Sequence, residues 1–385
     1  MLQAPVACLD ILSSLGHVGS GGNSVPVADN VIRDAVARYE RERDHYLKLA
    51  ARVSDICRSS IVEDNAIRAQ VTFRTKTVRS FEGKLRRFSR RPDKNYASAD
   101  EVFTGIGDFA GVRIATYRPE DEKRVTDAIV NLFDGEDCSP VFVDRKDKLA
   151  VSSYQFYRAT HCQVFLREED IIGHYENLRG TSCEIQVCSM MAHVWNEIEH
   201  DIGYKPEGGG PDEAEKGLLE ALGHLTRSGD AAITRLLAAN AARMQENVGD
   251  FVDVHDFVAR LKPYFPDADL SVSAGQAFDA IVEHGLNSVV RLKAQVGNEV
   301  LDPVIAASRI EAFNRYLATV ESAEYALNPA SADVVTVAVL HKFAGAIFER
   351  HPAERSKGRP ARIYYIARLY DRFLESLKSS ERSAA

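Results

Sequence analysis

Ser182-Cys183-Glu184-Ile185-Gln186-Val187-Cys188 leads, after Ser189, into Met190-Met191-Ala192-His193-Val194-Trp195-Asn196-Glu197-Ile198-Glu199-His200 and on to Tyr204-Lys205. It reads as a short buried strand that turns into a helix. Alternation puts Ile185 and Val187 on one face of the strand and Glu184 and Gln186 on the other. A carboxylate and an amide therefore leave the sheet together, in a run otherwise apolar enough to be core. Burying a carboxylate is costly unless it is paired or holds a metal. The plainer alternative is a rim residue facing water. The segments on the N-terminal side decide between the two.

The 385 residues are enough for two or more domains, and 45% hydrophobic with 27% charged residues is ordinary for a soluble globular chain. A net charge of −8 argues against a protein that coats nucleic acid. The cysteines (Cys8, Cys57, Cys138, Cys162, Cys183, Cys188) follow no framework, which indicates reduced thiols and a cytoplasmic location. No stretch approaches the roughly 18 apolar residues of a membrane span, so no membrane partner is expected. Met1–Gly22 has neither a basic start nor a strong apolar run, so no secretion signal is read there.

Upstream, 29–59 has a helical pattern with Ile32, Val36, Tyr39, Tyr46 and Leu49 on one face. From Val71 to Asn95 there are nine basic residues against two acidic ones, a local charge of +7. Arg74-x-Lys76 falls at a strand end before a helix, where cations can converge on phosphate. The alternative is a solvated helix face, the usual fate of a charge run. Gly105-Ile106-Gly107-Asp108-Phe109-Ala110-Gly111-Val112-Arg113-Ile114-Ala115 follows, with a strand at 112–115, an acid before it and Gly111 permitting close backbone approach. Gly105-x-Gly107 alone is too weak a pattern for a nucleotide loop. A helix is expected over 119–133, a strand over 139–143, the charged loop Arg145-Lys146-Asp147-Lys148, and a strand over 162–166. Before that strand, Tyr157, Arg158 and His161 suit a base-stacking platform with phosphate donors, or aromatic packing under a loop. Strands alternating with helices over 71–205 make this an α/β region. Pro206–Pro211 reads as a linker. Beyond it all is helical: 212–228 and 230–246 as antiparallel partners, then 253–264, 274–296, 303–322, 332–350 and 362–379. His255-Asp256 in that region reads as surface.

Together these segments resemble the synthetase domain of the RelA/SpoT family, the alarmone (p)ppGpp synthetases. The matching pieces occur in the family's order: Arg74-x-Lys76 with Ser80 and Lys84; Asp108-Phe109-Ala110-Gly111-Val112-Arg113; Tyr157-x-x-x-His161; Glu184-Ile185-Gln186; and Trp195-x-Glu197-x-Glu199-His200-x-x-x-Tyr204-Lys205. The resemblance covers roughly residues 30–206. It implies a nucleotidyltransferase-like mixed β-sheet flanked by helices, to which the chain adds an all-helical C-terminal extension. The expected division is 1–70 as a lead-in and packing helix, 71–206 as the synthetase domain, and 207–385 as a helical regulatory or oligomerisation region.

The resemblance further implies Mg²⁺-dependent transfer of pyrophosphate from ATP to the 3′-hydroxyl of GDP or GTP, with release of AMP. Asp108 and Glu184 would hold Mg²⁺. Arg74, Lys76, Lys84 and Arg113 would bind ATP, with Arg113 also able to position the acceptor. Tyr157 would stack on the acceptor base, with His161 and Gln186 placing its phosphate or ribose, and Glu197 and His200 supporting the site. Two positions depart from the family: Phe156 stands where members commonly have glycine, and Ser153 where many have lysine, a role Lys146 or Lys148 would take over. These departures leave open a toxin that pyrophosphorylates the 3′ end of tRNA, or a degenerate nucleotide- or RNA-binding module. Retention of both carboxylates counts against the last. A zinc site on His193, Glu197 and His200, with Cys183 and Cys188 nearby, has no standard ligand spacing. The helical extension would serve control, through a regulatory protein or a homo-oligomer.

Overall fold

The computed structural model describes residues 27–89, 96–136, 139–144, 156–203, 211–349 and 362–384. Arg90, Arg91, Lys94, Cys138, Lys146, Lys148, Ser153, Tyr204 and Lys205 lie outside the described residues, as does most of the expected linker. The chain forms two compact units, one from residues 1–45 with 75–107, the other from 46–74 with 108–385.

Helix α1 (Asp29–Ile56) contributes its first part to the smaller unit and its second to the larger. In the smaller unit it is joined by α2 (Val78–Phe88) and α3 (Ala99–Gly105). Phe81 and Leu85 on α2 are fully buried, and the Phe81 ring lies 4.9 Å from that of Tyr39. Thr77 caps α2 by accepting from Ser80 N at 3.1 Å. The Tyr39 hydroxyl donates to the Lys76 carbonyl at 2.8 Å, and Arg43 Nε to the same oxygen at 3.3 Å. The backbone just before α2 is thereby fixed. Gly105 ends α3 against the Tyr96 ring, so it closes a packing contact and no phosphate loop is built on it.

The larger unit holds a five-stranded mixed sheet in the order β1-β2-β5-β4-β3, with β1 Ala69–Thr75, β2 Ala110–Thr116, β3 Phe142–Asp144, β4 Thr160–Val164 and β5 Cys183–Ser189. Strands β2 and β5 run parallel, while β4 is antiparallel to both β5 and β3. At one end of β1 and β2, Tyr117 N donates to Arg68 O; at the other, Gly111 faces Arg74. These two strands are therefore antiparallel. Helix α4 (Glu120–Leu132) packs on β5, burying Val125 and Ile129, and α5 (Met190–Gly203) continues directly from β5. This is the expected mixed sheet flanked by helices.

The helical region differs from expectation in three places. The stretches 212–228 and 230–246 are not two antiparallel helices; they are a single helix, α6 (Glu213–Met244), opened by a capping box between Asp212 and Glu215. Ser228-Gly229-Asp230 reads as a turn by composition. In the fold, Gly229 lies against the Met191 side chain and Asp230 is buried by partners on other elements, so helical backbone is retained through them. The stretch 274–296 is split into α8 (Ala274–Glu283) and α9 (Val289–Val296) at Gly285, whose φ of +68° ends a helix readily. The remaining helices are α7 (Val254–Leu261), α10 (Pro303–Thr319), α11 (Asp333–Glu349) and α12 (Arg362–Ala384). Every residue from Val334 to Leu340 is buried, so α11 is apolar all round and forms the centre against which α8, α10 and α12 pack. His255-Asp256 is not surface: Asp256 is fully buried, accepts from Val252 N and pairs with buried Arg260. No helix among the described residues is long and apolar enough to cross a membrane.

Candidate active site

The parallel register of β2 with β5 and the antiparallel register of β4 with β5 assemble one polar face. Arg113, Gln186 and His161 form one cross-strand row; Gly111, Glu184 and Gln163 form the next. The intervening residues Val112, Ile185 and Cys162 point to the opposite face and are buried. Period-two alternation thus puts the chemistry on one side and the core on the other. Strand β4 begins two residues earlier than its apolar run indicates, which places His161 within the sheet.

Glu184 is not a rim residue. It is 5% exposed, and its two oxygens are held from opposite sides. His161 Nδ1 lies 3.0 Å from Oε1, and Gln186 Nε2 donates to Oε2 at 2.8 Å. On the other side of the imidazole, Nε2 lies 3.0 Å from the Tyr157 hydroxyl. The contacts continue from Gln186 Oε1 to Arg113 Nη2 at 3.4 Å, and from Arg113 Nη2 to Glu197 at 2.7 Å. Tyr157, His161, Glu184, Gln186, Arg113 and Glu197 are therefore one continuous polar chain. Such a network fixes rotamers, because moving one member unpairs its neighbours in a low-dielectric setting.

His193 on α5 joins this chain through Nε2, 3.5 Å from Arg113 Nη1. Burial holds its pKa below the ordinary histidine value, the Arg113 and Arg74 charges push the same way, and Glu197 opposes them. Strand residue Arg74, exposed at the end of β1, thus acts on the same region as Arg113. Below about pH 6.5 an unfolded chain protonates this residue while the folded one resists, so its contribution to stability is lost as pH falls. His193→Gln should flatten that acid limb: its melting temperature should gain on wild type steadily from pH 7.5 to pH 5. Parallel curves would show that His193 carries none of the acid sensitivity.

Asp108 is half-buried, two residues before β2 begins. Because β2 and β5 are parallel, with Gly111 opposite Glu184, both carboxylates lie at the N-terminal end of neighbouring strands. Their chemistry suits magnesium, which takes one or two carboxylates and completes its shell with water and substrate phosphates. The bonds from His161 and Gln186 would orient Glu184 as outer partners orient a metal-bound carboxylate. Gly111 is not required by crowding: an added Cβ would meet only ordinary contacts, with Arg74 at 3.8 Å and Glu184 O at 4.0 Å. The zinc alternative has no support, since no group of three or more His, Cys, Asp or Glu is gathered at ligand spacing among the described residues. Burial raises the Cys183 thiol well above its usual range and pushes Cys188 up to about 12. Both stay protonated, and thiols are poor metal ligands. His200 is exposed beside Asp201. In the smaller unit, Lys76 is half-buried at the N-terminal junction of α2, and Lys84 Nζ lies 5.6 Å from the Phe88 ring centroid.

Arg158, expected beside the tyrosine as a phosphate donor, is committed elsewhere. It pairs at 2.6 Å with Asp230 of α6, which also accepts from Ser189 at 3.0 Å. Phe156 points into the same helix: its ring sits against Gly223, 4.9 Å from the His224 ring, with Arg227 stacked at 4.6 Å. Trp195 adds a third tie by donating to Leu219 O at 2.9 Å. The turn carrying Tyr157 is thus gripped on both flanks by α6. Asp230 and Gly223 lie in a helix without catalytic motifs, and the only sequence signal for them was Phe156 standing where a glycine is usual.

Residues 73–209 match the model of the region found in RelA/SpoT proteins. Over that span the chain is similar to RelA/SpoT proteins. A curated relative, GTP pyrophosphokinase YjbM of Bacillus subtilis (strain 168), is 30% identical over 151 residues, covering 39% of this chain. The chain spans 64% of that relative's length. Among solved structures, a GTP pyrophosphokinase family protein from Streptococcus pneumoniae overlays with a TM-score of 0.40 at 23% identity, covering 52% of this chain and 92% of that one. Small alarmone synthetase 1 from Bacillus subtilis bound to its product pppGpp gives 0.41 at 22%, with 52% and 97% covered. The polar chain described above falls within the matched span, whereas Gly223 and Asp230 fall outside it.

Proposed function

We propose that the chain transfers the β,γ-pyrophosphate of ATP to the 3′-hydroxyl of GDP or GTP, forming (p)ppGpp and releasing AMP. The observation that carries this reading is the continuous polar chain from Tyr157 through His161 and Glu184 to Gln186 and Arg113, lying inside the span that matches RelA/SpoT proteins. The curated relative's name, a GTP pyrophosphokinase, supports the same substrate class.

In the reaction the acceptor 3′-oxygen bonds to the β-phosphorus of ATP while the α–β bridging bond breaks, and AMP leaves with the bridging oxygen. The hydroxyl proton passes to a site base or to water. Asp108 and Glu184 would hold Mg²⁺, which when bound draws charge from the phosphate oxygens. Arg74 and Lys76, with Lys84, would cradle the ATP phosphates, and fixed cations there offset the charge developed in transfer. Arg113, braced by Glu197 and Gln186, presents a guanidinium held in one orientation. Tyr157 would stack on the acceptor base once its hydroxyl contact to His161 is exchanged, leaving His161 to meet ribose or phosphate. Glu184 or His161 would be the nearest side chains to take the hydroxyl proton, His161 the better base if Glu184 holds the metal. The rest of the rate would come from positioning.

A panel of acceptors tests the reading: γ-labelled ATP with GDP, GTP, AMP, ADP or bulk tRNA. Label is expected in the guanosine nucleotides; label confined to tRNA would point to the toxin chemistry instead. Arg74→Ala and Lys76→Ala should each lower turnover about 10²-fold or more with every acceptor alike, since the donor is common to all. Loss with one acceptor only would put that side chain on the acceptor side.

A further inference from the structure

Asp230 lies in α6, beyond the span that matches RelA/SpoT proteins, yet its carboxylate is buried against that span. A single oxygen makes the contacts. Oδ2 accepts from Arg158 Nη2 at 2.6 Å and from Ser189 Oγ at 3.0 Å. Ser189 closes β5, and its hydroxyl oxygen accepts in turn from Ala192 N at 3.0 Å, in the first turn of α5. One oxygen thus joins α6, the turn before β4 and the junction of β5 with α5. The backbone of Arg158 is held separately. Asn196 Nδ2 on α5 donates to its carbonyl at 3.1 Å, and the Arg158 N–H donates to Asn196 Oδ1 at 3.4 Å.

The neighbour of Arg158 is Tyr157. The Arg158 side chain is drawn to α6, whereas the Tyr157 hydroxyl lies against His161 Nε2 on β4 and its ring packs on Ala159, Cys188 and Ala192. Two adjacent side chains are therefore anchored on different elements, and the setting of one constrains the other. Cys188 and Ala192 flank Ser189 in sequence. The floor under the tyrosine ring is thus the same segment that Asp230 holds through Ser189.

As a source of stability the ion pair is poorly built. Arg158 Nε and Asp230 Oδ1 are both buried without a hydrogen-bond partner, so guanidinium and carboxylate meet by one prong and not as a fork. A buried pair with two orphaned polar atoms recovers little of its desolvation cost, and apolar side chains of similar volume would fill the space as well. What the pair supplies is direction, because a charge with one buried partner admits one arrangement of the turn.

We infer that Asp230 is a positioning residue for the nucleotide acceptor: through Arg158 and Ser189 it sets the Tyr157 turn, and the floor beneath its ring, in the arrangement that receives the acceptor base. The inference rests on the acceptor role proposed above for Tyr157. It assigns part of the acceptor site to the helical region, which carries no catalytic motif of its own.

Steady-state kinetics of the full-length protein test it, with GDP varied at saturating ATP and ATP varied at saturating GDP. Asp230→Asn should raise the KM for GDP about 10-fold or more, with the KM for ATP within about 2-fold and kcat within about 3-fold of wild type. A role in stability alone would lower the active fraction, and so kcat, without separating the two KM values. Arg158→Met breaks the same contact from the other side while keeping an apolar stem, and it answers the question if Asp230→Asn folds poorly. It should show the same separation, and Arg158→Met/Asp230→Asn should raise the GDP KM no further than the larger single change, because both remove one contact. An unshifted GDP KM in the folded single variants, two KM values that rise together, effects that multiply in the double variant, or loss of folding in both single variants would each overturn the inference. Absence of transfer to GDP by wild type is a separate outcome: the proposed reaction then fails first, and the acceptor role of Asp230 falls with it.

Discussion

Glu184→Gln should lower the rate of pyrophosphate transfer by about 10³-fold or more while leaving a folded protein. The charge is the reason. Glutamine has the size and shape of glutamate but gives up the hard anionic oxygen that a magnesium ion and a hydroxyl proton would both need. Its structural cost is bounded. His161 Nδ1 and Gln186 Nε2 each address a different oxygen of Glu184, and the amide can satisfy only one such donor, so one buried bond is lost at about 1–3 kcal/mol. The melting temperature should therefore fall by a few degrees without loss of cooperativity. Asp108→Asn should cost activity on the same scale with less effect on stability, since Asp108 is only half-buried. AMP release and a thermal melt on the same preparations check both. Activity within a few-fold of wild type in either variant would remove that carboxylate from the chemistry.

Gly223→Ala should be far more damaging than an alanine in a helix normally is. A Cβ there would lie 2.2 Å from Phe156 Cγ and 2.5–2.6 Å from its two δ carbons, closer than any real contact. The ring cannot withdraw freely, because Trp195, His224 and Arg227 surround it. Overpacking of this kind costs about 1–3 kcal/mol, sometimes more, and it outweighs the ~1 kcal/mol that alanine gains over glycine in helix propensity. Relief would move Phe156 and its neighbour Tyr157, so the acceptor KM should rise more than the ATP KM. The pair should also be coupled. Phe156→Ala alone opens a cavity, but in Gly223→Ala it removes the clash, so the double variant should be more stable than the sum of the singles by about 1–3 kcal/mol. Urea unfolding of the four proteins measures this, and additive effects would show that the two residues do not share one space.

What could be read from the sequence follows from what is local. Alternation along 182–188 gave the strand and the face of Glu184, because a period of two needs no knowledge of the neighbours. The polar pieces in order carried the family resemblance, and the structure draws six of the expected site residues, Arg113, Tyr157, His161, Glu184, Gln186 and Glu197, into one chain of contacts. What escaped was tertiary. Ser228-Gly229-Asp230 has the composition of a turn, yet the pairing of Asp230 with Arg158, seventy-two residues away, keeps the helix intact. Asp256 looked like a surface acid because nothing in its own segment announces that it is fully buried and paired with Arg260. Arg158 looked like a phosphate donor for the same reason. Each error concerned a charge whose partner or burial is set by the fold around it.

The most direct measurement is the product balance when the full-length protein meets γ-labelled ATP and GDP in the presence of Mg²⁺. The account predicts that label moves into a guanosine tetraphosphate carrying its new pyrophosphate on the 3′-oxygen, with one AMP formed for each. ADP with labelled inorganic phosphate, or labelled product without matching AMP, would contradict it.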